Sequence, residues 1–260
     1  MSKQADGLEG LRVVVTAGAG GIGLAIVRHL AACGARVFTC DVAEPALAQL
    51  AQSHPEVGAI RADVSSEADV ARLFEAAERQ LGGLDALINN AGIAGPTGAV
   101  EDLDPQEWRR CVDICLTGQF LCTRLAVPLL KAAGGGAIVN MSSAAGRHGY
   151  AFRTPYSSAK FGVIGFTQSL AKELGPAGIR VNAILPGIVE GPRMEGVIRA
   201  RAEQVGVSYE RMEATYLERI SLRRMVTQHD IALSVAFLLS EGGRNISGQS
   251  LSVDGNVETL

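Results

Sequence analysis

The sequence predicts an α/β fold: one domain of 260 residues built on a doubly wound parallel sheet of about seven strands, with helices on both faces. Three observations lead there. Short β-branched runs recur along the whole chain, and stretches of ten or more residues with helical periodicity separate them. The runs are apolar without strict alternation, as expected of strands covered on both faces. Glycines punctuate the strand-to-helix turns.

The elements follow in order. LRVVVTA (11–17) is the first strand, and GIGLAIVRHLAACG the first helix, stopping at Gly34. ARVFTCD (35–41) is the second strand, followed by a helix over about 43–53. A strand near GAIRADV, a helix across EADVARLFEAAERQLG and the strand LDALINNAG come next. Asp104-Pro105 starts one long helix expected over about 105–133. GAIVNMSS is the fifth strand, the stretch RTPYSSAKFGVIGF opens another helix, and IRVNAILPG is the sixth strand. SGQSLSVDG reads as the seventh. Residues 190–224 break the rhythm as a charged helical insertion, read either as a solvated excursion or as a substrate lid.

Composition narrows the class. Apolar residues make up 47% and charged residues 20%, with a net charge of −3, so no basic surface argues for nucleic acid. The start lacks a signal-peptide layout, and no uninterrupted apolar run approaches the ~18 residues a membrane span requires. The five cysteines (33, 40, 111, 115, 122) form no CxxC pair and no zinc spacing. Reduced thiols, a cytoplasmic location and no bound metal are therefore expected.

TAGAGGIG (16–23) lies between the first strand and first helix. Glycines there allow a tight turn and let a pyrophosphate approach the amides of a helix N-terminus. Gly18, Gly21 and Gly23 depart from the common GxGxxG spacing, but the strand–turn–helix context points to a Rossmann-like dinucleotide site. Asp41 ends the second strand, 18 residues beyond Gly23. A carboxylate there accepts bonds from ribose hydroxyls and repels a 2′-phosphate, and no Arg or Lys occupies the turn or position 42. NAD is thus expected rather than NADP. The other reading of Asp41 is a cap for the helix that follows.

Tyr156 and Lys160 stand four residues apart at the start of a helix, so their side chains share a face. A neighbouring ammonium favours a phenolate, which suits acid–base chemistry. A surface pair placed by chance would look the same.

Taken together, these pieces resemble the short-chain dehydrogenase/reductase family over nearly the whole chain. The matching marks are TAGAGGIG, Asp63-Val64, NNAG (89–92), Ser143, YSSAK (156–160) and Pro186-Gly187, with 13 residues from Ser143 to Tyr156. The resemblance implies that Tyr156 exchanges a proton with the substrate oxygen during hydride transfer and that Ser143, rather than Ser142, polarises that oxygen. Lys160 would favour the phenolate and hold the nicotinamide ribose. It further implies an adenine contact at Asp63 with Val64 beside it, a cofactor cleft shaped by Gly18, Gly21, Ile22, Gly23, Asn90 and Gly92, and a nicotinamide near Pro186, Gly187 and Ile188. A homotetramer is implied as well, with helices near 105–133 and 157–174 and the last strand at its interfaces.

Three positions depart from the family's pattern. Ala17 replaces the first glycine of the turn, which is harmless if its φ is negative. Cys115 stands where an asparagine normally helps anchor a water linking the lysine to solvent. A relay through the main-chain carbonyl, slower turnover and lost catalysis are the alternatives, and Cys111, Cys115 and Cys122 are expected to pack as small apolar residues. Gly191 replaces a threonine that would hold the nicotinamide amide.

The loop after Ser143, with His148, Tyr150 and Arg153, and the insertion, with Glu190, Arg193 and Met194, should border the substrate. Either arginine could bind a carboxylate bidentately, or simply be solvated. The expectation is an NAD-dependent oxidoreductase interconverting a secondary alcohol (a polyol, sugar or hydroxy acid) and its ketone. The alternatives are a 3-ketoacyl-type reductase, which Asp41 fits poorly, and an NAD(H)-binding regulator with impaired catalysis.

Overall fold

The three valines of RVVVT in β1 (Arg12–Thr16) are fully buried, which requires cover on both faces of the strand. Val13 and Val15 join one core layer and Val14 the other. The computed structural model of the chain describes residues 7–257. Its sheet continues with β2 (Arg36–Asp41), β3 (Gly58–Arg61), β4 (Ala86–Asn89), β5 (Gly136–Met141), β6 (Ile179–Pro186) and β7 (Ser250–Val253). The seven strands are all parallel, in the order β3-β2-β1-β4-β5-β6-β7. Order reverses between β1 and β4, so a crevice opens beyond the carboxyl ends of those two strands, where ligands of such sheets bind.

One face is covered by α1 (Gly21–Ala32), α2 (Glu44–Ser53) and α9 (Gln228–Leu239), through residues such as Ile26, Val27, Leu50 and Val235. The other is covered by α3 (Glu67–Leu81), α5 (Gly118–Ala132) and α6 (Thr154–Leu174), through Leu73, Phe74, Leu121, Leu130 and Leu174. Local chemistry sets the helix ends. Ser66 Oγ accepts the Asp69 N–H at 3.3 Å and left-handed Gly82 stops α3, while Thr227 and Asp230 cap α9 reciprocally.

The long helix expected over 105–133 is interrupted. It comprises α4 (Pro105–Val112), a π-wound turn at Asp113–Thr117 and then α5. Such turns insert an extra residue and recur at functional sites. By length and composition the whole run Pro105–Ala132 could cross a bilayer, yet it carries core residues of this sheet.

The insertion folds as α7 (Pro192–Val205) and α8 (Tyr209–Glu218), with its own small apolar core of Ile198, Ala202 and Met212. Two isolated bridges, Val189 with Val226 and Ile220 with Val257, tie its stems to the body.

Ala17 corrects an expectation: its φ is +53°, in the left-handed region. An L-residue there costs about 1–2 kcal/mol. Replacing it by glycine forfeits about 0.5–1 kcal/mol through the unfolded chain. Ala17→Gly is therefore expected to stabilise by about 0.5–1 kcal/mol, read as a rise of a few degrees in the melting midpoint. A second expectation concerns acid. Hydrogen bonds from Arg12 hold the Asp85 carboxyl below its ordinary value, with Arg12 Nη2 at 2.6 Å. A depressed folded-state value stabilises above the unfolded value of about 3.9 and is lost as pH falls through the folded one. Denaturant titrations should find Asp85→Asn less stable near neutrality but flatter with pH below about 4.

Candidate active site

Where β1 and β4 end, their last backbone groups lose ladder partners, and two side chains replace them. Thr16 Oγ1 accepts the N–H groups of Asn90 (2.9 Å) and Ala91 (3.0 Å). Asn90 Nδ2 donates to the carbonyls of Thr16 (3.0 Å) and Ala17 (3.1 Å). Asn90 thereby holds the glycine turn, including strained Ala17, against the end of β4.

The turn itself is spatially constrained. A Cβ on Gly18 would lie 2.1 Å from Thr39 Oγ1, and one on Gly23 would lie 2.0 Å from the Ala17 carbonyl oxygen. Gly20 and Gly21 face open space, Gly21 at φ +53°. The α1 N-terminus, at Gly21, Ile22 and Gly23, carries no side-chain cap and no acid in its first turn. Its N–H groups and the positive end of the helix dipole suit an anion. Asp41 is already oriented: Oδ2 accepts Ala19 N at 3.2 Å and Oδ1 accepts Ala43 N at 3.1 Å. Each oxygen keeps a lone pair for a hydroxyl donor, so its local capping and a ribose contact are compatible. This cradle fits a dinucleotide diphosphate and its adenosine ribose.

Asp63 Oδ1 accepts the Ser65 N–H (2.9 Å) and hydroxyl (2.7 Å). Burial opposes its charge, but the Ser65 bonds and the charges of Arg110 and Arg61 hold its carboxyl below the ordinary value. Val64 is buried against Gly118 at the start of α5. At the other side of the crevice Pro186 closes β6, and Gly187 passes so close to Asp254 that a Cβ would come within 2.5 Å. Ile188 accepts the Val226 N–H at 2.9 Å. Gly191, at φ +141°, is the residue preceding α7.

Two serine bonds position the start of α6, where Tyr156 and Lys160 lie. Ser157 Oγ donates to the Ala145 carbonyl and Ser142 Oγ to the Lys160 carbonyl, both at 2.7 Å, which docks the turn after β5 against the first turns of α6. Ser142 is buried in that role, whereas Ser143 is half-buried and its Oγ accepts Ala145 N at 3.1 Å. Tyr156 and Lys160 share one face of α6, with Nζ 5.7 Å from the phenol ring centroid. Lys160 is only 3% exposed, and its Nζ donates to the Met141 carbonyl at 2.8 Å. A Cβ on Gly92 would lie 3.4 Å from that Nζ.

Cys115 lies in the π-wound turn. Its thiol donates to the Ile93 carbonyl and accepts the Ile93 N–H, both at 3.4 Å. Cys111, Cys115 and Cys122 are all fully buried, as small apolar residues would be.

Arg153 was one of two candidate anion binders, and its guanidinium stacks between Tyr150 (5.1 Å) and Tyr156 (4.8 Å). Nη2 donates to the Ala94 carbonyl at 2.6 Å, whereas buried Nε has no partner among the described residues. No ion pair to Arg153 occurs among the described residues either. His148 sits half-buried on the same loop, its N–H bonded to the Ala144 carbonyl. The Arg193 side chain lies outside the described residues. Sequence reasoning passed over Thr16, whose only signal was a hydroxyl at the end of an apolar strand, and Gln119, which looked like one polar residue in a buried helix.

The geometry has counterparts. The family described as Enoyl-(Acyl carrier protein) reductase matches residues 16–257. Cis-4-hydroxycyclohexanecarboxylate dehydrogenase of Sinomonas cyclohexanicum is 39% identical over 93% of this chain and 94% of its own. D-beta-hydroxybutyrate dehydrogenase of Cupriavidus necator is 35% identical over 95% and 98%. A crystal structure of NAD+-bound xylitol dehydrogenase superposes with a TM-score of 0.88 at 30% identity, covering 95% of this chain and 99% of that one. With likeness of this extent in sequence and in fold, the chain belongs to the short-chain dehydrogenase/reductase family.

Proposed function

We propose that the protein is an NAD-dependent dehydrogenase of a small hydroxycarboxylic acid, oxidising its secondary alcohol to the ketone. The observation that carries the substrate class is Arg153. A half-buried guanidinium without a carboxylate partner is costly unless a ligand supplies one, and this one lies against the ring of the acid–base tyrosine. A carboxylate bound there would bring the carbinol of a short hydroxy acid towards Ser143 and Tyr156. Two relatives named for hydroxycarboxylate substrates support the reading.

NAD, when bound, accepts the hydride. Its diphosphate would rest on the α1 N-terminus at Gly18, Gly21, Ile22 and Gly23. Asp41 would take the adenosine ribose hydroxyls and disfavour a 2′-phosphate, which also weighs against the ketoacyl-reductase alternative. Asp63 and Val64 would flank the adenine, Asn90 and Gly92 the middle of the cleft, and Pro186, Gly187 and Ile188 the nicotinamide. Ser143 donates a hydrogen bond to the substrate oxygen, and Tyr156, as phenolate, takes the hydroxyl proton. Lys160 stabilises that phenolate and holds the nicotinamide ribose. The helical pair α7–α8, with its own small core, acts as a lid over the acid.

Exposed Phe120 and Phe161 on α5 and α6, and Leu233, Phe237 and Leu251 on α9 and β7, support a homotetramer. The five free cysteines support a cytoplasmic location.

The first test follows nicotinamide absorbance with hydroxy acids, polyols and simple secondary alcohols. Turnover is expected with NAD, far less with NADP, and none in Tyr156→Phe. Activity surviving that substitution would remove the proposed chemistry. For Arg153→Met, loss of a charge-assisted contact of about 1.5–3 kcal/mol should lower kcat/KM for the acid by about 10–150-fold. The neutral methyl ester of the same acid should be affected little. Equal losses on acid and ester would refute the carboxylate assignment.

A further inference from the structure

Gln119 is a polar side chain only 2% exposed, in the first turn of α5. Its Nε2 donates to two carbonyls, those of Cys115 and Met141, both at 3.1 Å. A primary amide has two N–H groups, so both are committed. The Met141 carbonyl is also the acceptor of Lys160 Nζ, at 2.8 Å. One amide thus links the π-wound turn, the end of β5 and the buried lysine.

The structure assigns to Gln119 the positioning of Lys160, an inference that rests on the reading of Lys160 as the ribose contact. Lysine carries its charge on a flexible stem of staggered torsions, so a fixed acceptor decides where the ammonium sits. Met141 is the last residue of β5, and the N–H of the peptide that carries its carbonyl is held on β6, donating from Ser142 to the Ile184 carbonyl at 2.9 Å, so its cleft-facing carbonyl is what Gln119 and Lys160 share. The amide of Gln119 pulls that carbonyl from one direction while the ammonium approaches from another. The other N–H binds Cys115, which in turn holds the Ile93 backbone through its thiol. The lysine and the π-wound turn are therefore set relative to one another by Gln119, and the Cys115 thiol extends the tie to the cleft loop at Ile93. An apolar side chain could fill the same volume, but it would bind neither carbonyl.

The test compares binding of NADH and of ADP to the full chain and to Gln119→Met, which keeps the length and loses both donors. ADP offers the adenosine and diphosphate but no nicotinamide ribose. If Gln119 positions Lys160, the dissociation constant for NADH should rise at least about tenfold, the order expected when a contact group is misplaced. ADP affinity should stay within twofold. With a hydroxy acid that the parent oxidises, kcat should fall by about tenfold or more as well. Gln119→Asn keeps an amide but is one methylene too short to span both carbonyls, so it should reproduce the selective loss even if the methionine variant folds poorly. Equal weakening of both ligands would make Gln119 a structural residue only, and unchanged NADH affinity would refute the assignment outright. A parent protein that binds ADP but gains nothing from the nicotinamide half would instead overturn the role given to Lys160, and the role of Gln119 with it.

Discussion

Backbone groups left without ladder partners at the carboxyl ends of β1, β4 and β5 are the constraint on which the rest of the structure depends. In the interior of a parallel sheet each strand satisfies its neighbours, but at the point where strand order reverses that supply ends. Burial forbids leaving these groups unpaired, so side chains take over. Asn90 serves the Thr16 and Ala17 carbonyls, Thr16 serves the Asn90 and Ala91 N–H groups, and Gln119 and Lys160 serve Met141. The atoms that complete the fold are therefore the atoms that border the cleft. Stability and site geometry cannot be separated here.

The same logic extends one layer inward. Asn89 and Asn140 face each other in register on β4 and β5, and Asn89 Nδ2 donates to Asn140 Oδ1 at 2.9 Å and to Thr123 Oγ1 at 3.1 Å. Asn140 Nδ2 continues to Thr167 on α6 at 2.9 Å. A buried polar chain of this kind fixes how α5 and α6 sit on the sheet, because its members lose bonds if either helix slides. Since α6 carries Tyr156 and Lys160, that chain also fixes the height of these two side chains above the strand ends. Asn89, the last residue of β4, is only 1% exposed and belongs to this interior.

The strands and most helices were legible because periodicity and burial are properties of a local window: VVV ended by glycines suits a strand covered on both faces. What was illegible depended on partners far along the chain. The π-wound turn at Asp113–Thr117 carries no unusual residue pattern, and its tertiary partners, Ile93 on the thiol and Gln119 on the carbonyl of Cys115, cannot be read from a helical period. Ala17 is left-handed in a turn that Asn90, more than 70 positions away, bonds into place, so its local propensity misled. For Arg153 the sequence left carboxylate binding and plain solvation both open, because its stacking on Tyr150 and Tyr156 is a tertiary contact.

Cys115 decides between a working enzyme and a relic. An asparagine at this place would offer an amide, whereas a thiol offers weaker bonds of the same two polarities. Here the thiol uses both, donating to the Ile93 carbonyl and accepting its N–H, so the cleft loop remains tied to the helix. Redox or nucleophilic chemistry at this position meets a physical obstacle. Hydrogen bonding with Cys115, together with burial, pushes the adjacent Cys111 thiol far above its ordinary range, and both sulfurs are sealed from solvent. Redox or nucleophilic chemistry needs a reagent to reach the sulfur, and burial shuts both of these away from one. At 115 the thiol ties the cleft loop to the helix, and Gln119 donates to the same residue's carbonyl, the group through which a main-chain relay would run. Around it, Lys160 is anchored on the Met141 carbonyl at 2.8 Å, and the turn that carries Ser143 is docked by Ser157.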